Sequence, residues 1–273
     1  MKNLLLLPVV IFYALFTAWP LVEVIRLSLD KTNFLKTTFV GLDNYIAALS
    51  DPNFLQSIVN SIIYASLLVP GQLLVALFFT LELYNMSKKW QDISRIIFYL
   101  PVLSAGIIIS GVWKWIFHID GPINWVLHQF NIAPIGWFSQ GETAIPIISF
   151  IVIFATFGGN VIILLASALS IDKGIIEAAK IDGASELQIK WKIMIPLMKP
   201  VIIILGFVSA ITSFQIFENI YALAPQGYAA TMTFFIFQEG FMFSKYGLAS
   251  AEAVILLIII LSLSLVKRRM ETE

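Results

Sequence analysis

Two groups of residues hold most of the reactive and hydrogen-bonding chemistry in this chain. The first mixes charge with small side chains: Glu177, Ala178, Ala179, Lys180, Asp182, Gly183 and Ala184. A carboxylate and an ammonium three positions apart share one helix face and can meet a partner's charges together. The neighbouring Ala and Gly residues permit close backbone approach. The second group is polar and aromatic: Phe214, Gln215, Phe217, Glu218, Asn219 and Tyr221. Amides and a carboxyl can hydrogen-bond hydroxyls, while flat rings cover carbon–hydrogen surface, so this set suits a polar solute in a concave site. Asn160, beside Gly158 and Gly159, offers a further amide. Bond-making chemistry has no comparable support. Cysteine is absent, which removes thiolate ligands and nucleophiles. The two histidines, His118 and His128, lie in one connection, where Asp120 reads as loop chemistry. No His-Glu-x-x-His pattern and no glycine-rich phosphate loop ending in Gly-Lys-Ser or Gly-Lys-Thr occurs.

The elements that must position these groups follow from composition. Of 273 residues, 59% are hydrophobic and 12% charged, a balance suited to lipid rather than water as solvent. Apolar runs from Leu4 to Leu29, Ser57 to Leu81, Ile96 to Phe117, Ile145 to Leu169, Val201 to Leu223 and Leu248 to Val266 are each long enough to span a bilayer. Backbone groups cannot stay unpaired in hydrocarbon, and the runs lack the short alternation of an outer-membrane barrel. The expectation is an all-α integral membrane protein of six transmembrane helices in a single domain over 1–273. The first run is too long for the core of a signal peptide and is followed by no small-residue cleavage site. Placing both termini in the cytoplasm puts twelve of the 17 Lys and Arg residues there and only Arg26, Lys31, Lys36, Lys114 and Lys245 outside, in the sense that flanking positive charge requires. A net charge of zero gives no field for nucleic acid.

Residues 170–200 form the longest cytoplasmic connection, too polar for lipid yet helical in composition. Lys173 to Ala179 favours helix, Asp182-Gly183-Ala184 interrupts, and Ser185-Glu186-Leu187-Gln188 reads as a capping box opening a second helix. In that helix Leu187, Trp191 and Met194 fall on one face, Glu186 and Lys190 can pair on another, and Pro196 and Pro200 are expected to end it. This helix-turn-helix can lie among headgroups or dock into a partner protein.

The string Glu177-Ala178-Ala179, then Gly183, Ile193 and Ile195-Pro196 resembles the EAA motif of binding-protein-dependent ABC importer permeases. Glu-Ala-Ala-Lys-Ile-Asp-Gly-Ala is similar to the version in carbohydrate permeases of the maltose type. Phe39 to Tyr45 and Arg95 to Pro101 also resemble sugar-permease sequence. Ile195 replaces the family's usual Leu, and Asp172 its common Pro. The resemblance implies a non-catalytic permease subunit of the bacterial inner membrane, importing a sugar or oligosaccharide. Its implied partners are a separate ABC ATPase dimer holding ATP and Mg, a second permease and an extracytoplasmic solute-binding protein. Residues Glu177 to Ala184 would then couple to the ATPase, with polar contacts from Glu177 and Lys180 and a compact turn kept by Ala178, Ala179 and Gly183. The chain itself would carry no cofactor. Glycerol phosphate or another polar solute would suit the same resemblance.

The polar-aromatic cluster is expected in the outer half of the fifth helix, where Glu218 either faces an aqueous path or snorkels to the external interface. Packing competes with path lining as the role of Gly158 and Gly159. Gln72 and Glu252 are weaker path candidates, the latter near the water-accessible outer end of the sixth helix; Trp113 and Trp115 read as interfacial anchors. Met232 to Phe237 is too short to span and is expected to be a short helix or re-entrant piece. An ion-coupled carrier would leave the spaced cytoplasmic motif unexplained, and a membrane-embedded enzyme would need a catalytic constellation.

Overall fold

The computed structural model describes residues 7–33, 36–104 and 106–272; Lys2 and the Leu4–Leu6 start of the first expected span lie outside these. The first helix, α1 (Leu7–Leu27), contains a π turn over Ala14–Ala18 just before Pro20, which absorbs the missing proline donor without ending the helix. None of its residues is buried. The all-α expectation misses a small antiparallel hairpin, β1 (Asp30–Asn33) and β2 (Lys36–Phe39), with Asp30 opposite Phe39. Helix α2 (Asp43–Ser50) anchors it: buried Asn44 donates to the carbonyls of Ser28 and Asp30, each at 2.9 Å.

Helix α3 (Pro52–Tyr84) starts on an Asp51 cap, the carboxylate accepting from the Asn53 N–H at 2.8 Å, and continues through Pro70. The expected third span is two helices, α4 (Lys88–Leu103) and α5 (Gly106–Ile116), inclined at 91°. Pro101, in the last turn of α4, cannot donate and crowds the preceding turn, which disfavours an unbroken rod there. The connection that follows α5 holds α6 (Pro122–Gln129), fixed by Asn124, which donates to the carbonyls of His118, Ile119 and Ile135 and accepts from the Ile135 N–H. The Asp120 N–H donates to His118 Nδ1 at 3.3 Å, a local turn.

Helix α7 (Gly141–Leu169) runs back across the bundle and is followed by α8 (Lys173–Ile181). Pro196 and Pro200 do not end the next helix: α9 (Glu186–Phe214) is continuous. A π turn over Lys190–Met194 directly precedes Pro196 and places the proline where its lost donor does least harm. Short helices α10 (Glu218–Leu223) and α11 (Met232–Phe237) follow, the second as expected, then a π turn over Gln238–Met242 and α12 (Tyr246–Thr272). Among the described residues, five helices are long and apolar enough to span, and the α4–α5 pair makes up to six.

Helices α3 and α7 form the spine. Tyr64 and Leu68 of α3 pack with Ile148, Ile151 and Val152 of α7. At Gly158 the α4 backbone comes so close that any Cβ would overlap the Phe98 carbonyl oxygen, so close helix packing accounts for this glycine. Gln72 is buried; its amide nitrogen donates to Thr156 Oγ1 at 2.8 Å, and Ser209 Oγ donates to its oxygen at 2.6 Å. It therefore ties α3, α7 and α9 together and is committed to packing. Glu252 is fully enclosed rather than water-accessible, because α2, β1, α11 and the Gln238–Met242 turn all pack around the start of α12. Trp113, expected as an interfacial anchor, is half-buried and packs edge-to-face on Phe150 and Phe154 at 5.3 and 5.4 Å. Trp115 is exposed.

Candidate translocation site and coupling segment

The polar-aromatic cluster does not lie within a spanning helix. Helix α9 stops at Phe214, and the chain crosses Gln215 to Phe217 before α10 begins at Glu218. The end of a helix frees carbonyls that need donors. Buried Thr231 supplies one to Ile216 O at 2.6 Å, and Thr233 supplies another to Phe214 O at 2.9 Å. These threonines give no signal in the sequence, since each is a single hydroxyl in an apolar stretch. Phe214 itself turns into a core cluster with Phe54, Met232, Phe235 and Leu256, away from the other candidates.

Two of the remaining members, Asn219 and Glu218, meet α5. Asn219 Nδ2 donates to Ser110 Oγ at 2.9 Å, and Lys114 Nζ donates to Ala222 O at 2.8 Å. The Glu218 carboxyl covers Gly106, where an added Cβ would lie 2.6 Å from Oε2. Two broken helices thus face each other, each starting beside the other's polar side chains. Rings form the adjoining wall: Phe217 stacks on Tyr221 at 5.7 Å and meets Phe237 edge-on at 4.8 Å, while Phe237 stacks on Phe241 at 5.4 Å. Phe237 and Phe241 were not legible as site residues, because their approach depends on how α11 folds back on α10. Gln215, Glu218 and Tyr221 stay exposed. Asn160 sits half-buried on α7 and makes no hydrogen bond to the cluster among the described residues.

In the 170–200 segment Asp172 caps α8, accepting from the Gly174 N–H at 2.7 Å. Its other end closes by two backbone bonds, Gly183 N–H to Lys180 O and Ala184 N–H to Ala179 O, at 3.1 and 2.9 Å. This is a Schellman closure, and it requires the positive φ of +82° that Gly183 adopts. Ser185 and Gln188 form the expected capping box. The expected Glu186–Lys190 pair is replaced by a bond from Lys190 Nζ to Glu82 Oε1 at 2.8 Å, since α9 packs beside the end of α3. Met194 is buried, but Leu187 and Trp191 are not, so the three do not share one packed face. Ile176, Ile189 and Met194 anchor the hairpin in the core, whereas Ile175, Ile181 and Leu187 are exposed around its turn.

A bundle of spanning helices with paired breaks, a polar-aromatic patch and a projecting helical hairpin defines a membrane-embedded transport subunit. Residues 45–272 match the family described as binding-protein-dependent transport system inner membrane component, and the chain belongs to it. It is 31% identical to the sulfoquinovosyl glycerol transport system permease protein of Agrobacterium fabrum, over 93% of this chain and 84% of that one. It is 27% identical to an arabinooligosaccharides transport system permease protein of Bacillus subtilis, over 96% and 86% of the two chains. The fold superposes with a TM-score of 0.85 on a chain of a bacterial alginate ABC transporter, at 22% identity, covering 98% of this chain and 93% of the other.

Proposed function

We propose that this permease carries a sugar or oligosaccharide, that it does so as a non-catalytic subunit with both termini on the coupling-segment side, and that residues 170–200 transmit the work of a separate ABC ATPase dimer. The relatives named for sulfoquinovosyl glycerol, arabinooligosaccharides and lactose support the cargo class. The alginate transporter solved with a pentasaccharide-bound periplasmic protein supports delivery by a solute-binding protein. ATP and Mg belong to the ATPase in this reading, and a second permease completes the conduit.

The observation that carries the coupling assignment is the exposure of Ile181 and Leu187, 86% and 66%, on either side of the Gly183 turn. Apolar side chains projecting from a polar hairpin lose their contact with water when a partner groove covers them. Glu177, Lys180 and Asp182 supply the polar rim, and Ala178, Ala179 and Ala184 keep it thin. From this hairpin α9 runs 29 residues without a break to Phe214, about 43 Å at helical rise. A tilt at the hairpin therefore reaches the α10–α5 contact directly. There Gln215, Phe217, Glu218, Asn219 and Tyr221 would hold the solute's hydroxyls and ring faces, with Asn160 further along the path.

The test is co-purification of the full-length chain from its native membrane, with identification of the retained proteins and assay of cargo-stimulated ATP hydrolysis, alongside Gly183→Asp. Retention of an ATPase and a second permease, with stimulation lost in the variant, supports the reading. A chain that purifies alone and moves solute in liposomes on an ion gradient without ATP overturns it.

A further inference from the structure

A cavity of about 500 Å³ opens where α3, α4, α7 and α8 meet on the coupling-segment side. Lys88, Arg95, Lys173 and Lys180 line it, with Glu177 as the single acid in its wall. Lys88, Lys173 and Lys180 make no ion pair among the described residues. Arg95 Nη1 meets Asp92 at 3.2 Å, but its Nε is buried with no acceptor among the described residues. Converging like charges repel, and a guanidinium with an unused buried donor is suited to a bidentate oxyanion. The wall is rigid. Buried Gln91 donates to the carbonyls of Leu83, Tyr84 and Met86 at 3.1, 3.3 and 3.1 Å, fixing the turn between α3 and α4.

We propose that this cavity binds a phosphate-bearing anion, either the headgroup of an acidic phospholipid or a free phosphorylated solute. It lies at the ends of two spanning helices, since Tyr84 closes α3 and Leu169 closes α7. Exposed Trp90 stands on the neighbouring turn of α4, a residue type that settles at headgroup level. Basic pockets between spanning helices on this side of a membrane are suited to anionic headgroups. Because Lys88 and Arg95 come from α4 while Lys173 and Lys180 come from α8, one bound anion ties the two elements together. It would thereby restrain the hairpin, a consequence that rests on the coupling reading above; the binding itself does not.

The experiment uses the full-length chain with whatever subunits accompany it from the membrane. Native mass spectrometry reads retained phospholipid, and thermal unfolding is followed in phosphatidylcholine nanodiscs with added phosphatidylglycerol or inorganic phosphate. Lys88→Gln and Lys173→Gln, both at exposed positions and expected to fold, are compared with Lys31→Gln on the far hairpin; Arg95→Gln is added where it folds. The expected result is a loss of anion affinity of roughly fivefold per charge removed, with Lys31→Gln unchanged. Dependence on phosphatidylglycerol alone identifies the lipid as the source, and a matching response to inorganic phosphate identifies a free solute. If neither probe is retained, or all variants bind alike, the proposal is overturned. The readout needs no ATP hydrolysis, so failure of the coupling reading leaves it standing.

Discussion

Asn219 donates a hydrogen bond to Ser110 across 2.9 Å, and this bond joins the short helix after the α9 break to the short helix after the α4 break. Both partners sit where a spanning segment has been interrupted, so the bond links the two halves of the candidate path. Asn219→Ala and Ser110→Ala should each lower cargo uptake and cargo-stimulated ATP hydrolysis. The double variant should be little worse than either alone, with a coupling energy of about 1 kcal/mol in a double-mutant cycle. Strict additivity of the two effects would show that the bond does not act as a unit.

Glu218 lies over Gly106, and a methyl there would press on the flexible end of the carboxyl side chain. Gly106→Ala should therefore displace Glu218 at little stability cost while reducing uptake. Melting temperature and transport measured on the same preparation separate the two effects. Unchanged uptake would remove Glu218 from the path.

Gly158 faces backbone rather than side chain, because a Cβ would overlap the Phe98 carbonyl oxygen. A carbonyl held in a helix cannot rotate aside, so Gly158→Ala should force α4 and α7 apart and destabilise the protein by about 1–3 kcal/mol. Thermal unfolding in nanodiscs measures this. Gly159, where an added Cβ meets nothing within 4 Å, should tolerate the same change.

Gly183 holds a φ of +82° in the Schellman turn. Gly183→Ala places a Cβ in left-handed backbone at a cost of about 1–2 kcal/mol. The fold should survive, because the turn is exposed and the hairpin is anchored by Ile176, Ile189 and Met194. Cargo-stimulated ATP hydrolysis should fall several-fold while basal ATPase activity persists; equal loss of both would point to general instability instead.

Thr231 is fully buried, and its hydroxyl supplies the Ile216 carbonyl freed by the break. Thr231→Val keeps the shape but leaves that carbonyl unpaired, at about 1–3 kcal/mol. A lowered melting temperature is expected, whereas an unchanged one would mean that another donor replaces the hydroxyl.

Bilayer thickness and the need to pair every backbone group are local constraints, and they made the spanning helices readable from runs of apolar residues. Short-range chemistry likewise fixed the hairpin turn: a capping box and a glycine at the required position act within one helical turn, so the order of residues alone determined them. Tertiary packing decided the rest. Pro196 and Pro200 stay inside a helix because a π turn shifts the register ahead of them. Glu252 is enclosed because distant segments fold over it, and the candidate site exists because two interrupted helices, more than a hundred residues apart in sequence, exchange the hydrogen bond from Asn219 to Ser110. A break in a helix exposes polar backbone that only remote side chains can satisfy, and their approach is set by how the whole bundle closes, which no local pattern encodes.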